Sequence, residues 1–453
     1  MTDDDHDPGE PGGSDPDSTG TAGAAGPRVT RRGALAVGGA ALLAGCGVPN
    51  LLGSDSVTID GRDLERYIDG ERPRVTEPLP VDVQQTHVAA SRERAHSLLA
   101  AAPLPLSAED LPNGAMREQV HHHAEHAREH LAEAVETTGT RERLDMLAHA
   151  RGPARSVAAT WAYTQNDLTL DDVQNARLSV RDDLGGFREE REYVGAEPVR
   201  AVVVHGVVDE WLEEAERDAA GERGRDDERA TALEVGDRAA DVEEARASLA
   251  DARHVHEQFV GSLSAPSSVR ETIVDARDSL AATIDERTSA VMPETDEVDA
   301  DRESPVLRIA LAELYDDLPE EFAFRDTAGP AAAVVGQANA LATVHGFESL
   351  RERVEGGDYP TVESAEDVRD LRERAVTAIE AALAESPDEL LARTVLSSLA
   401  GWFEYADRDL TGYDDAVELD RLRRDLAIYP QLEARAEGTP NACEDVLATF
   451  DEM

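Results

Sequence analysis

Ten consecutive positions, His121-His122-His123-Ala124-Glu125-His126-Ala127-Arg128-Glu129-His130, hold five of the chain's 13 histidines. Imidazole is a common ligand for divalent transition metals, and residues four apart on a helix point the same way. At the helical turn angle, His122, His123, His126 and His130 fall within an arc of about 100°. Zn²⁺ or Cu²⁺ suits such a set, with Glu125 and Glu129 orienting the rings or pairing with Arg128. The metal itself is not specified by the pattern. The order is not His-Glu-x-x-His, so a metalloprotease has no support. The competing reading is a polar helix edge on which His stands where other proteins have Lys. His254 and His256 form a sparser second pair, while His87, His96 and His149 stand alone.

Other chemistries find no foothold. There is no nucleophile elbow, phosphate-binding glycine loop, cysteine pair or calcium loop. Carboxylates are too numerous for a general-acid pair to be picked out by type alone. Trp161, Trp211, Trp402, Tyr163 and Tyr405 read as anchors of helix packing. Cys443, beside Ala442, Val446 and Leu447, reads as a small packed residue of a terminal helix. An enzyme is therefore not expected.

The elements that carry these residues read as helix after helix. From Val83 onward apolar residues recur every three or four positions, and alternation of period two is rare. The spacing predicts helices over 83–101, 113–135, 141–166 with a break at Gly152-Pro153, 170–191 and 198–217. Residues 219–230 are nearly all Gly, Arg, Asp and Glu and read as a linker. Beyond them Val235, Val242, Leu249, His256 and Leu263 form a heptad-like stripe, and Ile273, Leu280, Ile284 and Val291 form another. These two stripes predict a long antiparallel αα-hairpin. After a second acidic linker at 293–303, helices are expected over 305–317, 330–355, 365–384, 387–407, 413–428 and 441–450. Ser364-Ala365-Glu366-Asp367 and Ser386-Pro387-Asp388-Glu389 carry helix-start signals. The expected fold is all-α: a multi-helix array of antiparallel helix pairs, bundle or irregular solenoid, around a central hairpin. The divisions expected are 1–45, 46–82, 83–218, 229–292 and 304–453. Residues 154–167 and 392–409 share an Ala-Arg start followed by Trp and Tyr, so the two flanking halves read as related or structurally equivalent.

Asp and Glu number 95 against 44 basic residues, for a formal charge of −51, and every basic residue is Arg. Such a charge repels itself in dilute buffer. Molar salt shortens the screening length to about 3 Å, so a Lys-free acidic chain fits a halophile. Nucleic acid is excluded as a partner, because phosphate recognition needs clustered basic residues. A bare anionic lipid surface would repel the chain as well.

Membrane contact is expected from the N-terminus instead. Residues 1–29 have almost nothing to bury and read as disordered. Thr30-Arg31-Arg32-Gly33-Ala34-Leu35 leads into a short apolar run over 36–44, too short to span a bilayer and of signal-peptide length. The run ends in Leu43-Ala44-Gly45-Cys46. Paired Arg31 and Arg32 resemble a twin-arginine signal, and the last four residues resemble a lipobox. Together residues 30–46 resemble the precursors of haloarchaeal twin-arginine lipoproteins. Ala34 and the long acidic stretch before the arginines depart from that family's pattern. The resemblance implies export of the folded chain, cleavage before Cys46 and a covalent lipid on its thiol. It also implies a location on the outer side of the cell membrane. Residues 46–82, interrupted by Gly53, Gly61, Gly70, Pro73, Pro78 and Pro80, then read as a tether with one short helix near 64–68. The mature domain is expected to act by binding, to an envelope partner or as a scaffold; the alternative is a Zn- or Cu-binding lipoprotein using the histidines.

Overall fold

Capping side chains set many of the element boundaries. The computed structural model describes residues 57–68, 70, 72–221, 230–291, 305–323, 329–357, 361–413 and 415–453; Arg31, Arg32 and Cys46 lie outside them. The chain is an all-α array. Its first helices are α1 (Gly61–Ile68), α2 (Gln85–Ala100), α3 (Gly114–Glu136), α4 (Thr140–Thr164), α5 (Leu170–Glu190), α6 (Pro198–Ala220) and α7 (Ala232–Ser262). Then follow α8 (Arg270–Val291), α9 (Pro305–Ala323), α10 (Pro330–Gly356), α11 (Ala365–Glu385), α12 (Glu389–Thr411) and α13 (Leu419–Asp451). Asn113 caps α3, and Thr169, Thr231 and Ser364 close reciprocal capping boxes with Asp172, Glu234 and Asp367. Each box satisfies amide groups that a helix start otherwise leaves open. At α12 the cap is Asp388, whose carboxylate accepts from the Leu391 amide at 2.8 Å.

The break expected at Gly152-Pro153 and the gap expected between residues 428 and 441 are both absent. Pro153 sits inside α4, and α13 runs through both Pro430 and Pro440. The missing hydrogen bonds are offset by packing, since these segments are among the most buried of the chain: Ala154, Val157, Tyr429, Leu432 and Ala442 are in the core.

The helices form two bundles. In the first, α7 packs against α4, α5 and α6, and α4 packs on α2 and α3. In the second, α13 packs against α10, α11, α12 and α9. A solenoid repeat touches only its sequence neighbours, so these partnerships define bundles. The main helix crossings are close. A Cβ on Gly438 would collide with the Ala342 carbonyl of α10, and one on Gly236 with the Thr160 hydroxyl of α4. The abundance of Ala serves the same close approach.

The expected central hairpin is corrected. The buried positions of the two stripes pack against other helices: Val235, Val242 and Leu249 of α7 belong to the first bundle's core. Ile273, Leu280 and Ile284 of α8 belong to a junction core with α10, α12 and α13. Tyr193 and Val202 enter that junction from the first bundle. A stripe specifies that a face is buried, not which helix buries it.

The expected tether is corrected over its described part. β1 (Thr58–Ile59) pairs antiparallel with β4 (Val417–Glu418), in register Thr58 with Glu418. α1 packs on α11 and α12, and Ile59, Leu64, Ile68 and Val75 lie in the second bundle's core. The expected short helix forms as α1, and the glycines and prolines around it bound an extended crossing rather than a free tether. From Ile59 on, the described chain therefore runs in the second bundle, crosses to the first at Val81 and leaves it at α8. A second small ribbon pairs β2 (Val194–Gly195) with β3 (Ser267–Ser268). No described helix is long and apolar enough to cross a membrane.

Candidate functional site

The histidine face of α3 is only partly assembled. His122 and His126 face one another, with ring centroids 4.1 Å apart. His123 turns to Gln119, 2.8 Å from its amide nitrogen, and lies 4.0 Å from Asp237 of α7. Burial holds the His123 imidazole below its ordinary range, against the pull of Asp237 and with a further push from His122 and His126. His130 contacts Glu133 at 3.1 Å and lies beside the His149 ring of α4. His121 reaches the Leu106 carbonyl. Among the described residues no three His, Cys, Asp or Glu side chains form a metal-holding group. The second pair is divided too. His254 stacks flat on His87, which binds the buried Asp251, while His256 meets the Glu192 carbonyl at 3.1 Å. These contacts fasten α2 and the 191–195 turn to α7.

Several carboxylates are buried and fully engaged. Glu243 accepts from Arg94 at 2.8 Å and from Arg151 at 2.7 Å. Asp407 accepts from Arg72, Arg372 and the Tyr429 hydroxyl at 3.0, 3.0 and 2.8 Å. Asp209 of α6 takes bonds from Arg191 and from the Tyr193 hydroxyl, and it caps α10 across the junction through the Ala331 amide at 3.1 Å. A carboxylate at a helix N-terminus meets the positive end of the helix dipole. These groups hold the structure together and have little capacity left for a ligand.

A cleft between the bundles gathers less satisfied acids. Arg141 binds Glu77 and Glu210 and approaches Asp145, which accepts from the Trp211 indole at 2.8 Å. Burial pushes the Glu77 carboxyl up to about 7 although Arg141 pulls it down, and the neighbouring Glu210 and Asp145 add to the rise. Burial raises Asp145 also. The cleft, of about 710 Å³, is bordered by the 72–77 segment, α4, α6, α10 and α12.

A partly enclosed, ligand-sized cavity lies on the second bundle. Trp402 and Tyr405 of α12 are 52 % and 42 % exposed, and their rings meet edge to face at 6.1 Å. They border a cavity of about 340 Å³ between α9, α12 and α13, floored by Leu399, Ile428 and Leu432. Glu313, Asp316, Asp317 and Asp425 supply its acidic wall. Arg424 and Arg435 also line it, held by Glu313 at 3.0 Å and Asp317 at 2.7 Å. Burial and the nearby Asp409 raise the Asp425 carboxyl. The packing role expected for these two aromatics is corrected. Trp211 is buried, and Trp161 and Tyr163 are half-buried, but Trp402 and Tyr405 face solvent. Helical geometry carried the signal: Leu399, Phe403, Ala406 and Leu410 mark the buried stripe of α12, and both rings fall off it.

Cys443 is fully buried in α13, where burial pushes its thiol up to about 12.

Residues 86–265 match a family model described as Domain of unknown function (DUF8262), and residues 270–448 match one described as Domain of unknown function (DUF8264). No curated protein and no solved structure matches the chain. The two matched stretches meet at the turn between α7 and α8. The chain is thus similar to two family models in succession, the first over most of one bundle and the second over α8–α13 of the other.

Proposed function

We propose that the chain is a halophile's helical binding protein, held at the outer face of the cell membrane by a lipid on Cys46 after export through the Arg31-Arg32 signal. Its ligand surface is the groove beside Trp402 and Tyr405. The observation that carries the binding reading is that exposed aromatic pair at the mouth of a cavity. Large aromatic rings facing water are costly unless something covers them, and the groove is of small-ligand size. The address rests on residues 30–46 and on the acidic, Lys-free composition.

Fractionation tests the anchor: Cys46→Ser should leave salt-washed membranes for the soluble fraction, and retention would sink the lipid assignment. A thermal-shift screen of small ligands in molar salt tests the groove. At least one stabilising compound should lose its effect in Trp402→Ala, and a screen without any Trp402-dependent shift would remove the groove from the proposal.

The facing rings of His122 and His126 favour a second reading, a Zn or Cu carrier. A tetrahedral site takes four ligands, so this pair needs further donors. Elemental analysis of protein purified in molar salt decides it: stoichiometric metal absent from the His122→Ala/His126→Ala variant supports the reading, and metal-free wild type ends it.

A further inference from the structure

The groove has a chemical preference as well as a size. Four carboxylates line it against two guanidinium groups, and each guanidinium is held by a carboxylate of the same wall. The excess of negative charge falls on Asp316 and Asp425. Tyr405 is oriented by its hydroxyl, which bonds Asp409. Arg408 already places its guanidinium 5.6 Å from the centre of the Tyr405 ring. An indole, a phenol, an apolar floor and a net negative wall around one cavity are complementary to a cation that is itself partly apolar.

We infer that the groove between α9, α12 and α13 binds a small organic cation of the alkylated ammonium class, seated against Trp402 and facing Asp316 and Asp425. This deepens the binding reading above and rests on it. The solvent strengthens the choice. In molar salt long-range attraction is screened within about 3 Å, so carboxylates alone would hold whichever inorganic cation is most abundant. Contact with an aromatic face survives screening and favours weakly hydrated, bulky cations over Na⁺ or K⁺, which cling to their water. Indole gives the strongest such contact of the aromatic side chains. The cavity volume of about 340 Å³ lies at the small end of ligand sites, which fits a small head group better than a large metabolite.

Calorimetric titration of the full-length protein in molar KCl tests this with two probes: choline, and the neutral alcohol in which carbon replaces its quaternary nitrogen. Saturable choline binding is expected, about tenfold tighter than for the alcohol. Trp402→Ala should weaken choline by at least about tenfold, Trp402→Phe should keep part of the affinity, and Asp425→Asn should weaken choline but not the alcohol. Trp402 is exposed, so an unchanged melting curve should show that its variants fold. Equal affinity for the two probes would overturn the cation preference while leaving a binding groove. Choline binding that persists in Trp402→Ala would overturn the location. Absence of choline binding would overturn the inference, and the Trp402-dependent screen then decides separately whether the groove binds at all.

Discussion

Single buried charges decide more here than the many surface ones. Asp209 answers a guanidinium, a phenol and a helix start at once. Asp209→Ala should lower the unfolding free energy in denaturant titration by about 3–5 kcal/mol, since it leaves Arg191 buried without its partner. Glu389→Ala, which removes an exposed pair with Arg393, should change it by less than about 1 kcal/mol. Two groups give opposite pH signatures. Glu77 sits at about 7 in the folded chain against an ordinary 4.5, so the folded state keeps a proton that the unfolded chain has released. Its contribution is fully present below about 4.5 and is lost as pH rises through about 7. The wild-type melting temperature should therefore fall relative to Glu77→Gln across that window and run parallel to it on either side. His205 is buried and depressed to about 4 from 6.5, so its contribution is present above 6.5 and lost as pH falls through about 4. An NMR titration should find its ring neutral down to that region.

At the scale of elements, the helices were nearly all legible, because period and caps are local properties. Ser364 to Asp367 announced a helix start, and α11 begins there with a capping box. Pro153 and Pro430 misled for a related reason: the local cost of proline is real, but burial that no local window contains outweighs it. Partner choice was not legible either. The stripes of α7 and α8 follow one another in sequence yet feed different cores. Of the candidate site, the histidines were visible as types, but only His122 and His126 converge, since rings on one arc still choose different neighbours. The Trp402 groove needed the opposite question, which residues lie off the stripe. Close crossings carry a further prediction. Gly438→Val should destabilise by about 1–3 kcal/mol or more, because its Cβ has no room against α10. Gly336→Ala, on α10 itself but in open space, should stabilise by about 0.5–1 kcal/mol. Chemical denaturation of the two variants beside wild type measures the contrast.

At the scale of the whole molecule, charge and topology act separately. With a formal charge of −51, the thermal midpoint should climb steeply between dilute buffer and molar KCl as self-repulsion is screened; a flat profile would remove the halophile assignment. Docking of α1 predicts that Leu64→Ala costs about 2–5 kcal/mol, measured by denaturation, whereas a side chain on a free tether would tolerate the change. The pairing of β1 with β4 also imposes an order on biosynthesis. The ribosome makes Ile59, Leu64 and Ile68 early, then completes the whole first bundle before any of the helices that cover them emerges. At ordinary elongation rates the early segment waits on the order of tens of seconds for its partners. During that interval its apolar side chains are a natural client for a holdase. Closure of the second bundle then falls to the moment when α13 leaves the ribosome. If the chain is exported folded, as proposed above, it could not depart before translation had finished.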